Sequence, residues 1–190
     1  NIMRHLGLTC ICILSLFISQ AQNSEKMETI TETATLGAGC FWCVEAIFQE
    51  LEGVSKVESG FSGGTIKNPS YKEVISGRTG HAEVIQITFD PKVITFTDIL
   101  DVFWNTHDPT TLNKQGNDVG TQYRSAVFYH SNEQKATAEA SCKAAQNYFK
   151  QPIVTEITAF TGFYIAEGYH QDYFSLNGNQ PYCSMVIRPK

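Results

Sequence analysis

Along this chain the spacing of apolar side chains switches repeatedly between the two-residue period of a strand and the three-to-four-residue period of a helix. That alternation is the strongest constraint on what it can fold into. Residues 33–38 have strand character and run into Gly39-Cys40, after which Val44, Ile47, Phe48 and Leu51 fall at i, i+3, i+4 and i+7. This is the stripe of an amphipathic helix, and Gly53 stops it. Residues 54–59 read as a strand before the turn-rich Gly60-Phe61-Ser62-Gly63-Gly64, residues 70–76 as a short helix, and residues 82–89 as a half-buried strand. Helical spacing returns at Phe96, Ile99, Leu100, Phe103 and Trp104, with Thr95 as the N-cap. Residues 125–129 form a further strand. Ser131 and Gln134 make a capping-box pattern for a helix that carries Ala136, Ala140, Ala144 and Tyr148 on one face, and residues 153–160 return to strand beyond Pro152.

The order β-α-β-β-α-β-α-β predicts an α+β fold: a two-layer sandwich with helices packed on a mixed sheet, a ferredoxin-like core and an irregular C-terminal segment. Residues 108–122 have no period and are rich in Asn, Gly and Thr. A loop of that length inside a compact domain is usually functional or disordered. The 190 residues are 42% hydrophobic and 17% charged, enough apolar material for a sizeable core and too little charge for disorder. The net charge of −5, with no cluster of cations, argues against nucleic acid as a partner.

Residues 6–18 form an apolar run broken by Gly7, Thr9 and Ser15, behind the cationic Arg4 and ahead of Ser19-Gln20-Ala21. The run is short of the length that spans a bilayer and its flanks suit a cleaved signal peptide over residues 1–21, with an uncleaved membrane anchor as the alternative. A linker is expected over 22–32 and a single domain over 33–190. The expected location is therefore secreted or periplasmic. Cleavage would remove Cys10 and Cys12 and leave Cys40, Cys43, Cys142 and Cys183, too few for a disulfide scaffold.

Cys40 stands at a strand-to-helix junction in Gly37-Ala38-Gly39-Cys40-Phe41-Trp42-Cys43. Unpaired amides and the positive end of the helix dipole favour a thiolate there, which reads as a nucleophile; a buried structural cysteine is the plainer alternative. Cys40 and Cys43 also make a C-x-x-C pair. A zinc site would need a second ligand pair that the sequence lacks. A thioredoxin-like dithiol remains open, although the order of elements and the two bulky aromatics between the cysteines are unusual for it.

Gly39-Cys40-Phe41-Trp42 resembles the active-site motif of the A-type peptide methionine sulfoxide reductases. The resemblance continues through Gly60-Phe61-Ser62-Gly63-Gly64, Asn68-Pro69-Ser70-Tyr71, Gly80-His81-Ala82-Glu83-Val84 and His107-Asp108-Pro109-Thr110-Thr111. It runs on through the stretch from Gln115 to Ser125 and through Ala166-Glu167-Gly168-Tyr169-His170-Gln171-Asp172-Tyr173, in family order. It implies reduction of methionine-S-sulfoxide, free and in proteins, without metal or organic cofactor. Cys40 would supply the thiolate that attacks sulfur and Glu83 the proton that the oxygen needs. A carboxyl can donate near neutral pH only if burial raises its pKa. Tyr71 and Tyr123 resemble the family's hydroxyl donors to the sulfoxide oxygen. Phe41 and Trp42 resemble the walls that hold the methyl group, Asp118 a residue that shapes the site, and His170 and Tyr173 are further site candidates.

Sulfoxide reduction would leave Cys40 as a sulfenic acid, which condenses with a second thiol. Cys183, in the C-terminal segment, resembles the family's resolving cysteine with slightly altered spacing. Cys43 is the second candidate, and Cys142 reads as a bystander on a helix. The disulfide would be reduced by thioredoxin or a thioredoxin-like protein outside the cytoplasm, and a monomer is expected. A C-x-x-C oxidoreductase and a non-catalytic module with an aromatic pocket for methionine-rich peptides are the competing readings.

Overall fold

The computed structural model describes residues 30–181 and 183. The leader expected over residues 1–21 and most of the expected linker lie outside them. The elements run β1 (Glu32–Ala38), α1 (Phe41–Phe48), β2 (Val54–Ser62), α2 (Tyr71–Ile75), β3 (Ala82–Phe89) and α3 (Phe96–Thr106). The short strands β4 (Lys114–Gln115) and β5 (Asp118–Val119) precede β6 (Ser125–Tyr129), α4 (Asn132–Ala145), β7 (Glu156–Ala159), β8 (Phe163–Ile165) and α5 (Tyr173–Asn177). Strands β7-β6-β1-β3-β2-β8 form one mixed sheet in that order, with only β6 and β7 parallel, so α1 links β1 to β2 across β3 and α3 links β3 towards β6 across β1.

Strand β3 lies at the centre, and its two-residue alternation divides it between the faces. Ile85, Ile87 and Phe89 join Leu36, Phe48, Ile99, Leu100 and Phe103 in the main core, whereas Ala82 and Val84 pack with Ala126 and Phe128 under Phe160 and Phe163. Covered on both sides, β3 is buried almost throughout rather than half-buried as its pattern suggested. Glu83 has the parity of Ile85 and Ile87, so it belongs to the face covered by the helices.

Helices α2 and α3 begin with full capping boxes at Ser70/Glu73 and Thr95/Asp98. The expected box at Ser131 is half made: Ser131 accepts the Gln134 N–H, but the Gln134 side chain bonds the His130 N–H and the Thr33 carbonyl instead. In α4 it is Gln134, Ala138 and Ala145 that are buried, while Ala136, Ala140, Ala144 and Tyr148 face solvent. Trp104 of α3 donates to Ser141 of α4 at 2.7 Å and ties the two helices together.

Two expected loops contain structure. Strand β2 continues through Gly60-Phe61-Ser62, because β8 comes alongside to pair with it. A Cβ on Gly60 would meet the Phe163 ring at 2.4 Å and the Tyr164 carbonyl at 2.5 Å, so only glycine permits that approach. The C-terminal segment is irregular only in part, since it holds β8, a single 3-10 turn over Gly168–His170 and α5.

Candidate active site

Cys40 occupies the N-cap position of α1, two residues after the last strand residue of β1. The chain makes that turn through Gly39 at φ +88°, a conformation that disfavours side chains. A Cβ there would also lie 2.6 Å from Cγ of Gln115, so the loop that follows α3 packs directly behind the cysteine. Cys40 accepts the Cys43 N–H at 3.1 Å to begin the first turn of the helix. The next amide is used differently: Phe41 donates its backbone N–H to Oε2 of Glu83 at 3.2 Å. The carboxyl of the central strand therefore sits at the N-terminus of the helix that starts with Cys40.

Glu83 is 1% exposed. Burial drives its pKa up to about 8, against the Phe41 hydrogen bond that lowers it, with Asp118 and Cys43 adding to the rise. Such a carboxyl is roughly nine-tenths protonated at pH 7. Burial also raises Tyr71 above the ordinary phenol range, followed by the influence of Glu83, Tyr123 and Cys40. Tyr123 is pushed up to about 12 by burial, then by Glu83, Asp118 and Cys40. These mutual perturbations bring together Cys40, Glu83, Tyr71, Tyr123 and Asp118 from five separate stretches of chain. Both hydroxyls remain donors at any physiological pH. Asp118 arrives on β5, part of a two-residue ribbon with β4 inside the segment that lacked any period.

The aromatic residues differ in exposure. The Phe41 ring is fully buried, 5.9 Å from Phe61 and 6.2 Å from Tyr71 between centroids. Trp42 is only half-buried and lies between Tyr173, stacked at 3.8 Å, and His170 at 5.4 Å. Its indole N–H donates to Nδ1 of His170 at 3.1 Å, across 128 residues of chain. His170 is itself buried against Tyr71 at 4.3 Å. Of the expected aromatic pair, Trp42 is thus the accessible ring and Phe41 the floor on which Tyr71 and His170 rest.

A family model described as "Peptide methionine sulfoxide reductase" matches residues 32–190. The chain belongs to the peptide methionine sulfoxide reductase family. The chain is 58% identical over 159 residues to "Peptide methionine sulfoxide reductase MsrA" of Leptospira borgpetersenii serovar Hardjo-bovis, covering 84% of this chain and 90% of that one. Mxr1 from Saccharomyces cerevisiae in its reduced form superposes with a TM-score of 0.77 at 36% identity, covering 80% of this chain and 89% of the other. The same yeast protein in complex with Trx2 superposes with a TM-score of 0.55 at 26% identity, covering 75% of this chain and 84% of the other. Membership of the peptide methionine sulfoxide reductases makes this an oxidoreductase whose chemistry is carried by cysteine.

The cysteines of this family member divide into two groups. Cys40, Cys43 and Cys183 form one buried cluster with Trp42, Ala46, Tyr173 and Phe174 around it. Cys142 lies on α4 against the main core, its thiol raised by burial. Among the described residues no group of three or more His, Cys, Asp or Glu side chains is placed to hold a metal ion.

Reading the sequence singled out none of Glu45, Glu167 and Gln171. Glu45, on α1, is buried, and burial pushes its pKa to about 7, chiefly against backbone N–H donation from Asp172 at the start of α5. Glu167 holds the Tyr71 backbone N–H at 3.0 Å, and Gln171 bridges Ser59 to the Ala166 carbonyl. An acid in the second turn of an apolar helix was the one available signal for Glu45. The other two pair across about a hundred residues and leave no local pattern.

Proposed function

We propose that this chain reduces methionine-S-sulfoxide, free and in proteins, to methionine and so repairs oxidative damage. The observation that carries the proposal is the Phe41 N–H···Glu83 contact, which sets a buried, largely protonated carboxyl one residue from Cys40. The Cys40 thiolate attacks the sulfoxide sulfur while Glu83 protonates the oxygen. The S–O bond breaks, the oxygen passes to Cys40 as a sulfenic acid, and methionine leaves with its sulfur reduced. Tyr71 and Tyr123 stabilise the charge that builds on oxygen, a contribution of roughly 3 kcal/mol for a well-placed donor. Trp42, supported by Phe41, His170 and Tyr173, holds the methyl group, and Asp118 shapes the polar side.

The sulfenic acid condenses with Cys183, releasing water and forming a disulfide. A thioredoxin or thioredoxin-like dithiol then reduces that disulfide and is itself oxidised. Support for the donor is the yeast relative's complex with Trx2; support for Cys183 is its burial beside Cys40. The leader-like residues 6–18 favour an enzyme acting outside the cytoplasm. One turnover on methionine-S-sulfoxide without reductant, followed by peptide mass spectrometry, tests the scheme. A Cys40–Cys183 crosslink and one methionine per chain are expected. A Cys40–Cys43 crosslink overturns the resolving assignment, and no methionine overturns the function.

A further inference from the structure

Two buried polar atoms of the site face each other without being used by the reaction as described. Glu167 Oε2 and His170 Nε2 lie 3.9 Å apart. Both are shut off from solvent, and neither hydrogen-bonds another protein atom. Each residue is held by its other polar atom: Glu167 Oε1 accepts the Tyr71 backbone N–H at 3.0 Å, and His170 Nδ1 accepts the Trp42 indole N–H at 3.1 Å. An indole nitrogen can only donate. Nδ1 must therefore carry a lone pair, and the proton of the neutral ring sits on Nε2, beside the carboxylate. Burial holds His170 below the usual imidazole range, with Glu167 opposing, so the neutral ring is the relevant one.

We propose that Glu167 is a positioning residue whose carboxylate selects the Nε2–H tautomer of His170 and so keeps Nδ1 available to anchor the Trp42 indole. Its other oxygen fixes the backbone of Tyr71, so one acid sets both the apolar wall and one hydroxyl donor of the site. The inference rests on the reading of Trp42 and Tyr71 as substrate contacts, but the tautomer itself does not. Glutamine shows why an acid is required. An amide that keeps its oxygen on the Tyr71 N–H turns an N–H donor towards Nε2. His170 must then offer a lone pair at Nε2, move its proton to Nδ1, and release Trp42.

Long-range ¹H–¹⁵N correlation spectra of the wild-type protein should show His170 protonated at Nε2 and bare at Nδ1. In Glu167→Gln the pattern should reverse, and KM for methionine-S-sulfoxide with dithiothreitol should rise by up to about tenfold, as expected for one lost neutral hydrogen bond between Trp42 and His170, with kcat changed less than about threefold. In a Trp42→Phe background the same substitution should add nothing to KM, because the anchor no longer has a load. A wild-type His170 protonated at Nδ1, or an unchanged tautomer in Glu167→Gln, overturns the proposal. Absence of sulfoxide reduction by the wild-type protein would instead overturn the function and leave the tautomer result standing.

Discussion

Glu83 is held where an ionised carboxyl is poorly solvated, and the cause is its parity on β3: it shares the helix-covered face with Ile85 and Ile87. One backbone N–H from Phe41 cannot replace the water it has lost, which is why its pKa rises to about 8. In the proposed mechanism the acid is the competent form, so the rate of the first turnover should hold up to about pH 8 and then fall tenfold per unit. Glu83→Gln keeps the shape and loses the proton. The single-turnover rate should drop about 10²–10⁴-fold, the range of general acid catalysis, and the alkaline limb should vanish from the stopped-flow pH profile. A limb that survives in Glu83→Gln would assign the titration to another group. Tyr71→Phe and Tyr123→Phe each remove one donor and should slow the same step by up to about 10²-fold without altering that limb.

At the scale of elements, the decisive device is the change of direction between β1 and α1. Gly39 needs φ +88° and abuts the side chain of Gln115, which bonds the backbone of Asp108. Gly39→Ala should therefore lower Tm by about 5 °C through strain at a positive φ together with displacement of that loop. It should also slow turnover, since the proposed nucleophile, Cys40, is the next residue; differential scanning calorimetry beside an activity assay separates the two effects. This junction was legible in the sequence because its determinants are local: glycines, a cysteine and the onset of a 3.6-residue period. The N-cap of α3 at Thr95 was legible for the same reason. What the sequence hid depends on partners elsewhere. Gly60 looked like a turn residue, yet it is the glycine that lets β8 close on β2. Ala136, Ala140 and Ala144 made a tidy stripe, but α4 buries Ala138 and Ala145, because Gln134 is anchored to Thr33 and turns the helix. From its place on an alternating strand alone, Glu83 reads more readily as a solvent-facing residue, because a two-residue period cannot say that both faces of a sheet are covered. Family motifs, not periodicity, picked it out.

Across the whole molecule, the site joins the two ends of the domain: α1 follows the first strand, while His170, Tyr173 and Cys183 come from the last part of the chain. Cys183→Ser should leave the first turnover intact and abolish cycling with thioredoxin, and a sulfenic-acid trap should label Cys40 in that variant. The same architecture carries a stability cost. Glu83 and Glu45 are carboxyls whose native pKa values, about 8 and about 7, lie above the 4.5 of the unfolded chain. Between pH 4.5 and those values the native state binds more protons than the unfolded state, so stability must fall as pH rises through that window and level off above it. At pH 4, below both values, the acid is mostly protonated in both states, and Glu83→Gln should nearly match the wild-type Tm. At pH 8 the wild type bears the penalty of ionising a buried acid and the amide does not. With each pKa unit worth about 1.4 kcal/mol, Glu83→Gln should then be more stable by a few kcal/mol. Glu45 is untouched by the substitution, so the variant should keep a shallower decline that ends near pH 7. Thermal melts of the two proteins from pH 4 to pH 9 test this. Parallel curves would mean that Glu83 ionises as freely in the fold as outside it, and the same result would remove the acid from the mechanism. Diverging curves, with the inactive variant the sturdier one at alkaline pH, would show stability being given up to keep a proton beside Cys40.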